Sequence, residues 1–167
     1  MAEAIVKRTR TTSRSKPAPK LDQRQSRIEY WMKMPPMTVK MRDSVAHARA
    51  LLEEHRFNQL PVVVNGKLVG IVTDRDLRDA SAAVRVSSKV AGAKDEIEAT
   101  PEQIPVEAVM STKVLMLRPA DTIQRAAELM RRERIGGVPV VDRGRLVGII
   151  TRSDVLDAFV ALTKERR

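Results

Sequence analysis

The chain contains no cysteine, so disulfide frameworks, thiolate zinc sites and a cysteine nucleophile are excluded. Aromatic residues make up 2 % of the 167 positions, which leaves too few rings for a base-stacking surface on single-stranded nucleic acid. Only two histidines occur, His47 and His55, and no His/Cys grouping has metal-ligand spacing. No apolar run approaches the roughly 18 residues of a membrane helix. The N-terminus also lacks the apolar core of a secretory signal. A cytoplasmic protein without membrane contact is the default expectation.

Apolar residues form 43 % of the chain, so a core of Val, Ile, Leu, Ala and Met is expected. The net charge of +10 is uneven. Residues 1–27 hold eight Lys/Arg against two acids, 8 − 2 = +6, leaving +4 for the other 140. This arm is rich in Ser, Thr, Arg and Lys, is broken at Pro17-Ala18-Pro19, and shows no apolar periodicity. A solvated tail, an arm with weak non-specific contact to nucleic acid or another polyanion, and an organelle transit peptide are the readings open for it.

The rest of the chain is an internal repeat. Shifted by 78 positions, Pro61–Asp76 lies over Pro139–Asp154 without a gap, with ten of sixteen residues identical. The match continues upstream through Leu51/Leu129, Ala48/Ala126 and Asp43/Asp121 to Met32/Met110. Each unit reads alike. A short apolar segment comes first (Met37–Met41; Val114–Leu117), then an Asp suited to cap a helix. Val45, Ala48 and Leu52, or Ile123, Ala126, Ala127 and Met130, then form one helical stripe. A hairpin follows, turning at Asn65-Gly66 or Arg143-Gly144. A second helix is expected after Asp76 or Asp154, with Val155, Ala158, Phe159 and Leu162 on its apolar face.

The expected organisation is therefore a basic tail (1–27), a first β-α-β-β-α repeat (28–83), a linker (84–104) and a second repeat (105–163). One such unit buries its sheet poorly alone, and two packed through their sheets share a core.

Thr73 and Asp76, like Thr151 and Asp154, place a hydroxyl, a carboxylate and free helix N–H groups together. The same residues are good helix caps, and both roles stay open. Met32, Met34, Met37 and Met41, the two histidines and Tyr30-Trp31-Met32 read as packing or surface residues. No acid pair has the surroundings of a general acid and base, so an enzyme is not expected.

Leu60-Pro61-Val62-Val63, then Gly66-x-Leu-Val-Gly-Ile-Val-Thr73-x-x-Asp76, then a helix, and their counterparts around Val138-Pro139 and Thr151-x-x-Asp154, resemble the CBS domain. The resemblance covers about residues 29–162, and a tandem pair is a Bateman module. It implies an α/β fold of two repeats packed through their sheets with pseudo-twofold symmetry. It also implies a non-catalytic regulatory module that binds AMP, ADP, ATP or S-adenosylmethionine without a metal of its own. The ligand would lie in the clefts between repeats, and the bound state would pass to a separate regulated protein.

In the family's pattern the Asp bonds the ribose hydroxyls and the Thr lies near ribose or phosphate, which assigns Thr73, Asp76, Thr151 and Asp154. The loops into Leu/Val-Pro line the base, which assigns Asn58, Gln59, Leu60 and Pro61 in one cleft and Gly136, Gly137, Val138 and Pro139 in the other. Glycines allow close approach of a flat base, so the second cleft is expected to suit adenine better. Arg75, Arg152, Lys40 and Lys113 are candidate phosphate partners. Two chains are expected to associate. The other reading is a dimeric adaptor with degenerate ligand sites and a polyanion-binding tail.

Overall fold

The computed structural model describes residues 25–90 and 100–164. Residues 1–24 of the expected arm lie outside the described residues, as does 91–99 of the expected linker.

In the first repeat α1 (Val45–His55) is followed by β1 (Gln59–Val64), β2 (Lys67–Thr73) and α2 (Asp74–Val90). In the second, α3 (Ile123–Glu133) is followed by β3 (Gly137–Asp142), β4 (Arg145–Thr151) and α4 (Arg152–Lys164). The apolar stripes are buried as their spacing predicts: Val45, Ala48 and Leu52 on α1, and Ile123, Ala126 and Met130 on α3. The caps are Ser44 and Thr122, one residue after the expected aspartates; their hydroxyls accept from His47 N (3.1 Å) and Arg125 N (3.2 Å). Asp43 and Asp121 instead close the preceding turns, accepting from Lys40 N at 2.8 Å and Arg118 N at 2.7 Å.

Both hairpins are antiparallel, with matching registers and matching bulges after Val62 and Val140. Their turns need positive φ at both central residues, the two-residue geometry that suits strand twist. Asn65 and Gly66 supply 53° and 77°, and Arg143 and Gly144 supply 46° and 78°.

The expected first strand of each repeat shrinks to a single parallel bridge, Val39 to Val62 and Leu117 to Val140. Proline explains this. Val39 N donates to Pro61 O and Val63 N donates to Val39 O. The next rung toward Met37 would need an N–H on Pro61, which has none. Pro139 stops the second repeat in the same way.

The segments ahead of the repeats cross over. Residues 25–33 pack on the second repeat: Ser26 O accepts from Ile123 N (2.8 Å), Ile28 N donates to Asp121 O (2.8 Å), and Lys33 pairs with Ile149. Residues 101–111 pack on the first: Ile104 O accepts from Val45 N (2.8 Å), Val106 N donates to Asp43 O (2.8 Å), and Ser111 pairs with Ile71. Residues 25–27, read from sequence as the end of the tail, are thus bonded to the second repeat. Residues 84–90, read as linker, extend α2.

Two aliphatic cores result. One joins Leu52, Leu60, Val62, Val72 and Leu77 with Val106; the other joins Met130, Val138, Val140, Ile150 and Ala158 with Ile28. The hairpins meet each other through β2 and β4, with Leu146 N donating to Gly66 O at 3.0 Å.

Candidate functional site

Helices α2 and α4 begin three residues earlier than expected from the sequence, directly after Thr73 and Thr151. Asp76 and Asp154 are therefore the third residues of their helices. Each closes a reciprocal capping box. Asp76 Oδ2 accepts from Thr73 N (2.8 Å) and Thr73 Oγ1 (2.6 Å), and Asp76 N donates to Thr73 Oγ1 (3.3 Å). Asp154 repeats this on Thr151 at 2.8, 2.6 and 3.4 Å. Two further bonds fix the helix starts: Asp74 N to Asn58 O and Arg152 N to Gly136 O, both 3.0 Å.

Capping and ligand binding are compatible in this geometry. The cap uses Oδ2 and leaves Oδ1 as an acceptor at a helix N-terminus. The two Oδ1 atoms differ. Asp154, 2 % exposed, holds the Lys33 ammonium at 3.4 Å; Asp76 is half-buried and has no ion pair among the described residues.

The other sequence-chosen residues separate into groups. Leu60, Pro61, Val138 and Pro139 are buried, and the side chains of Leu60 and Val138 belong to the two aliphatic cores. Gln59 is half-buried: its Nε2 is buried, has no hydrogen-bond partner among the described residues, and lies 2.7 Å from where a Cβ on Gly137 would be. Gly137 is thus covered by Gln59, while Gly136 is exposed with open space beside it. Asn58 is exposed at the start of β1. Arg75 is exposed and paired with Asp79 at 3.8 Å. Arg152 bonds Ile135 O through Nε at 3.1 Å. Lys40 and Lys113 are exposed with no ion pair among the described residues.

Lys33 was not singled out from sequence. The 78-residue shift sets it against Ser111, between the matched pairs Met32/Met110 and Asp43/Asp121, so it falls inside the repeat as an unlike pair.

Two surface cavities lie elsewhere. One of about 410 Å³ between α3 and α4 is lined by Met130, Arg131, Arg134, Arg152, Val155 and Leu156. The other, about 540 Å³, is bordered by Tyr30, Met32, Met34 and Val147. Neither is lined by the Thr–Asp pairs. Among the described residues no cluster of three metal-ligating side chains occurs, and no helix is long and apolar enough to cross a membrane.

The CBS domain profile matches residues 27–83 and 106–161, the same two stretches that carry the Thr–Asp pairs. The chain belongs to the CBS domain family. A CBS domain-containing protein of Dictyostelium discoideum is 34 % identical over 125 residues, 74 % of this chain and 83 % of that protein. Among solved structures, CBSX2 in complex with AMP is 28 % identical with a TM-score of 0.66, covering 82 % of this chain and 98 % of that one. The CBS domain pair of protein MJ0100, in complex with 5′-methylthioadenosine and S-adenosyl-L-methionine, is 28 % identical with a TM-score of 0.63, covering 81 % and 96 %. The fold is thus that of a CBS domain pair, and structural relatives of this pair hold adenosyl ligands.

Proposed function

We propose that this CBS pair is a non-catalytic sensor of an adenosyl ligand, of the class of AMP, ADP, ATP or S-adenosylmethionine, which passes its bound state to a partner protein. The observation that carries this reading is the Thr–Asp capping box, present twice with an Oδ1 left over in each. A carboxylate oxygen so placed accepts from the two hydroxyls of a ribose, and the adjacent helix N–H groups favour anionic ligand groups. Asn58 and Gly136, exposed at the strand entries, are the nearest sequence neighbours for a base; Arg75, Arg152 and Lys113 are the cations to consider for phosphates. Two chains associate in this reading, and the protein works in the cytoplasm.

Thermal shift with AMP, ADP, ATP and S-adenosylmethionine identifies the ligand, since occupancy at 100 times Kd adds about 2.7 kcal/mol to stability. Titration calorimetry of Asp76→Ala and Asp154→Ala then tests the site. A hydrogen bond to a charged group contributes about 1.5–3 kcal/mol, so each variant should bind roughly 10- to 150-fold more weakly in its own cleft. Each should also lose about 1 kcal/mol of stability with its cap. Loss of stability with affinity intact in both variants would reduce the Thr–Asp pairs to caps.

A further inference from the structure

The two clefts have the same backbone and different occupants at the ribose carboxylate. Lys33 pairs with Ile149 through both backbone groups, N to O at 2.9 Å and 3.2 Å. Ser111 pairs with Ile71 in the same way, at 2.9 Å and 2.8 Å. Each therefore stands at the same place beside its strand, next to the Thr–Asp pair that ends it. From there the four-carbon stem of Lys33 brings Nζ to 3.4 Å from Asp154 Oδ1. A serine at that backbone position has only one carbon before its oxygen.

The consequence lies in what a ribose meets. In the first cleft Asp76 has no ion pair among the described residues. The neighbouring charges of its helix pair with each other, Arg78 with Asp74 at 2.7 Å and Arg75 with Asp79 at 3.8 Å. In the second cleft Asp154 is 2 % exposed and its free oxygen faces an ammonium whose side chain is 71 % exposed. A diol approaching Asp154 must share that oxygen with Lys33 or displace it.

We infer that Lys33 is an internal competitor for the ribose site of the second cleft, so that the first cleft, at Asp76, fills first. This rests on the reading of Asp76 and Asp154 as ribose acceptors. It also reverses the preference that Gly136-Gly137 suggested, because Gln59 already covers Gly137. Lys33 acts as a determinant of which cleft is occupied at a given ligand concentration, giving one chain two response ranges.

The test exchanges the two residues. Lys33→Ser and Ser111→Lys are each titrated with AMP by calorimetry, alone and in Asp76→Ala and Asp154→Ala backgrounds that leave one cleft intact. Lys33→Ser should tighten the second cleft about two- to fivefold, the range of one partly exposed ion pair. Ser111→Lys should weaken the first by a similar factor, and needs no change in the second-repeat packing. Unchanged affinities in both exchanges, with both clefts binding, would overturn the role of Lys33. Weaker binding to the second cleft in Lys33→Ser would overturn it too, since Lys33 would then hold the ligand. AMP affinity that neither aspartate variant alters points instead to failure of the ribose assignment, and absence of binding by any adenosyl ligand to failure of the sensor reading.

Discussion

Gln59 and Gly137 occupy the same position in the two repeats, 78 residues apart, and they meet. Pseudo-twofold packing brings equivalent strand starts face to face, and the space there holds one side chain. Gln59 fills it, with Nε2 2.7 Å from the Cβ position of Gly137. A methyl on Gly137 would also stand 3.3 Å from Ile150 O, which is tight. Gly137→Ala should therefore destabilise the fold by about 1–3 kcal/mol, as overpacking does. Gln59→Ala in the same chain should return most of that loss, because it clears the crowded side chain and removes a buried amide without a partner. Urea unfolding of wild type, both single variants and the double variant measures the coupling; additive effects would show that the two positions do not share this space. At this scale the sequence was half informative. It marked the Thr–Asp pairs, whose spacing of three is the capping box itself. It could not show that Gln59 crosses to Gly137 or that Lys33 reaches Asp154, since both are contacts between segments whose approach only the assembled fold defines.

Helices and hairpins were the most legible elements, because periods of 3.6 and 2 and the Asn65-Gly66 turn are local signals. The first strand of each repeat was not, because its pairing depends on the donors of the neighbouring strand, and Pro61 and Pro139 lack them. The last helix carries a consequence for assembly. On α4 Leu156 and Phe159 are 63 % and 65 % exposed, and Leu156 lies beside the apolar floor formed by Met130 and Val155. That face has the composition of a contact between chains. Leu156→Asp with Phe159→Asp should convert a dimer at micromolar concentration into a monomer of unchanged helix content, read by light scattering and circular dichroism. Arg131, Arg134 and Arg152 line the same groove, so a twofold contact would set like charges opposite one another. Salt should then strengthen the dimer by screening them. A wild-type chain that scatters as a monomer would remove the dimer from the proposed function.

At the scale of the whole molecule the two repeats are tied by an exchange of leading segments. Ile28 and Val106 are equivalent positions, and each is fully buried in the core of the repeat it does not adjoin in sequence. Periodicity and the 78-residue shift identified both segments as parts of a repeat, but burial patterns state which side chains are covered and not which sheet covers them. Self-packed and exchanged arrangements fit the same pattern, so the exchange was not legible, and the tail was read as ending at residue 27 although Ser26 already accepts from Ile123 N. The exchange has a measurable signature. Ile28→Ala removes a buried side chain at a cost of about 2–5 kcal/mol. Hydrogen exchange should show the lost protection first in α3, β3 and β4, more than 90 residues along the chain from the substitution, with α1, β1 and β2 less affected. Val106→Ala should do the opposite, loosening α1, β1 and β2 and sparing the hairpin that follows it in sequence. Protection lost instead in the repeat nearest in sequence, in both variants, would rule out the exchanged packing. With the exchange in place, Lys33 lies in the segment that Ile28 anchors, so Ile28→Ala should also loosen the Lys33–Asp154 pair and bring the AMP affinity of the second cleft closer to that of the first.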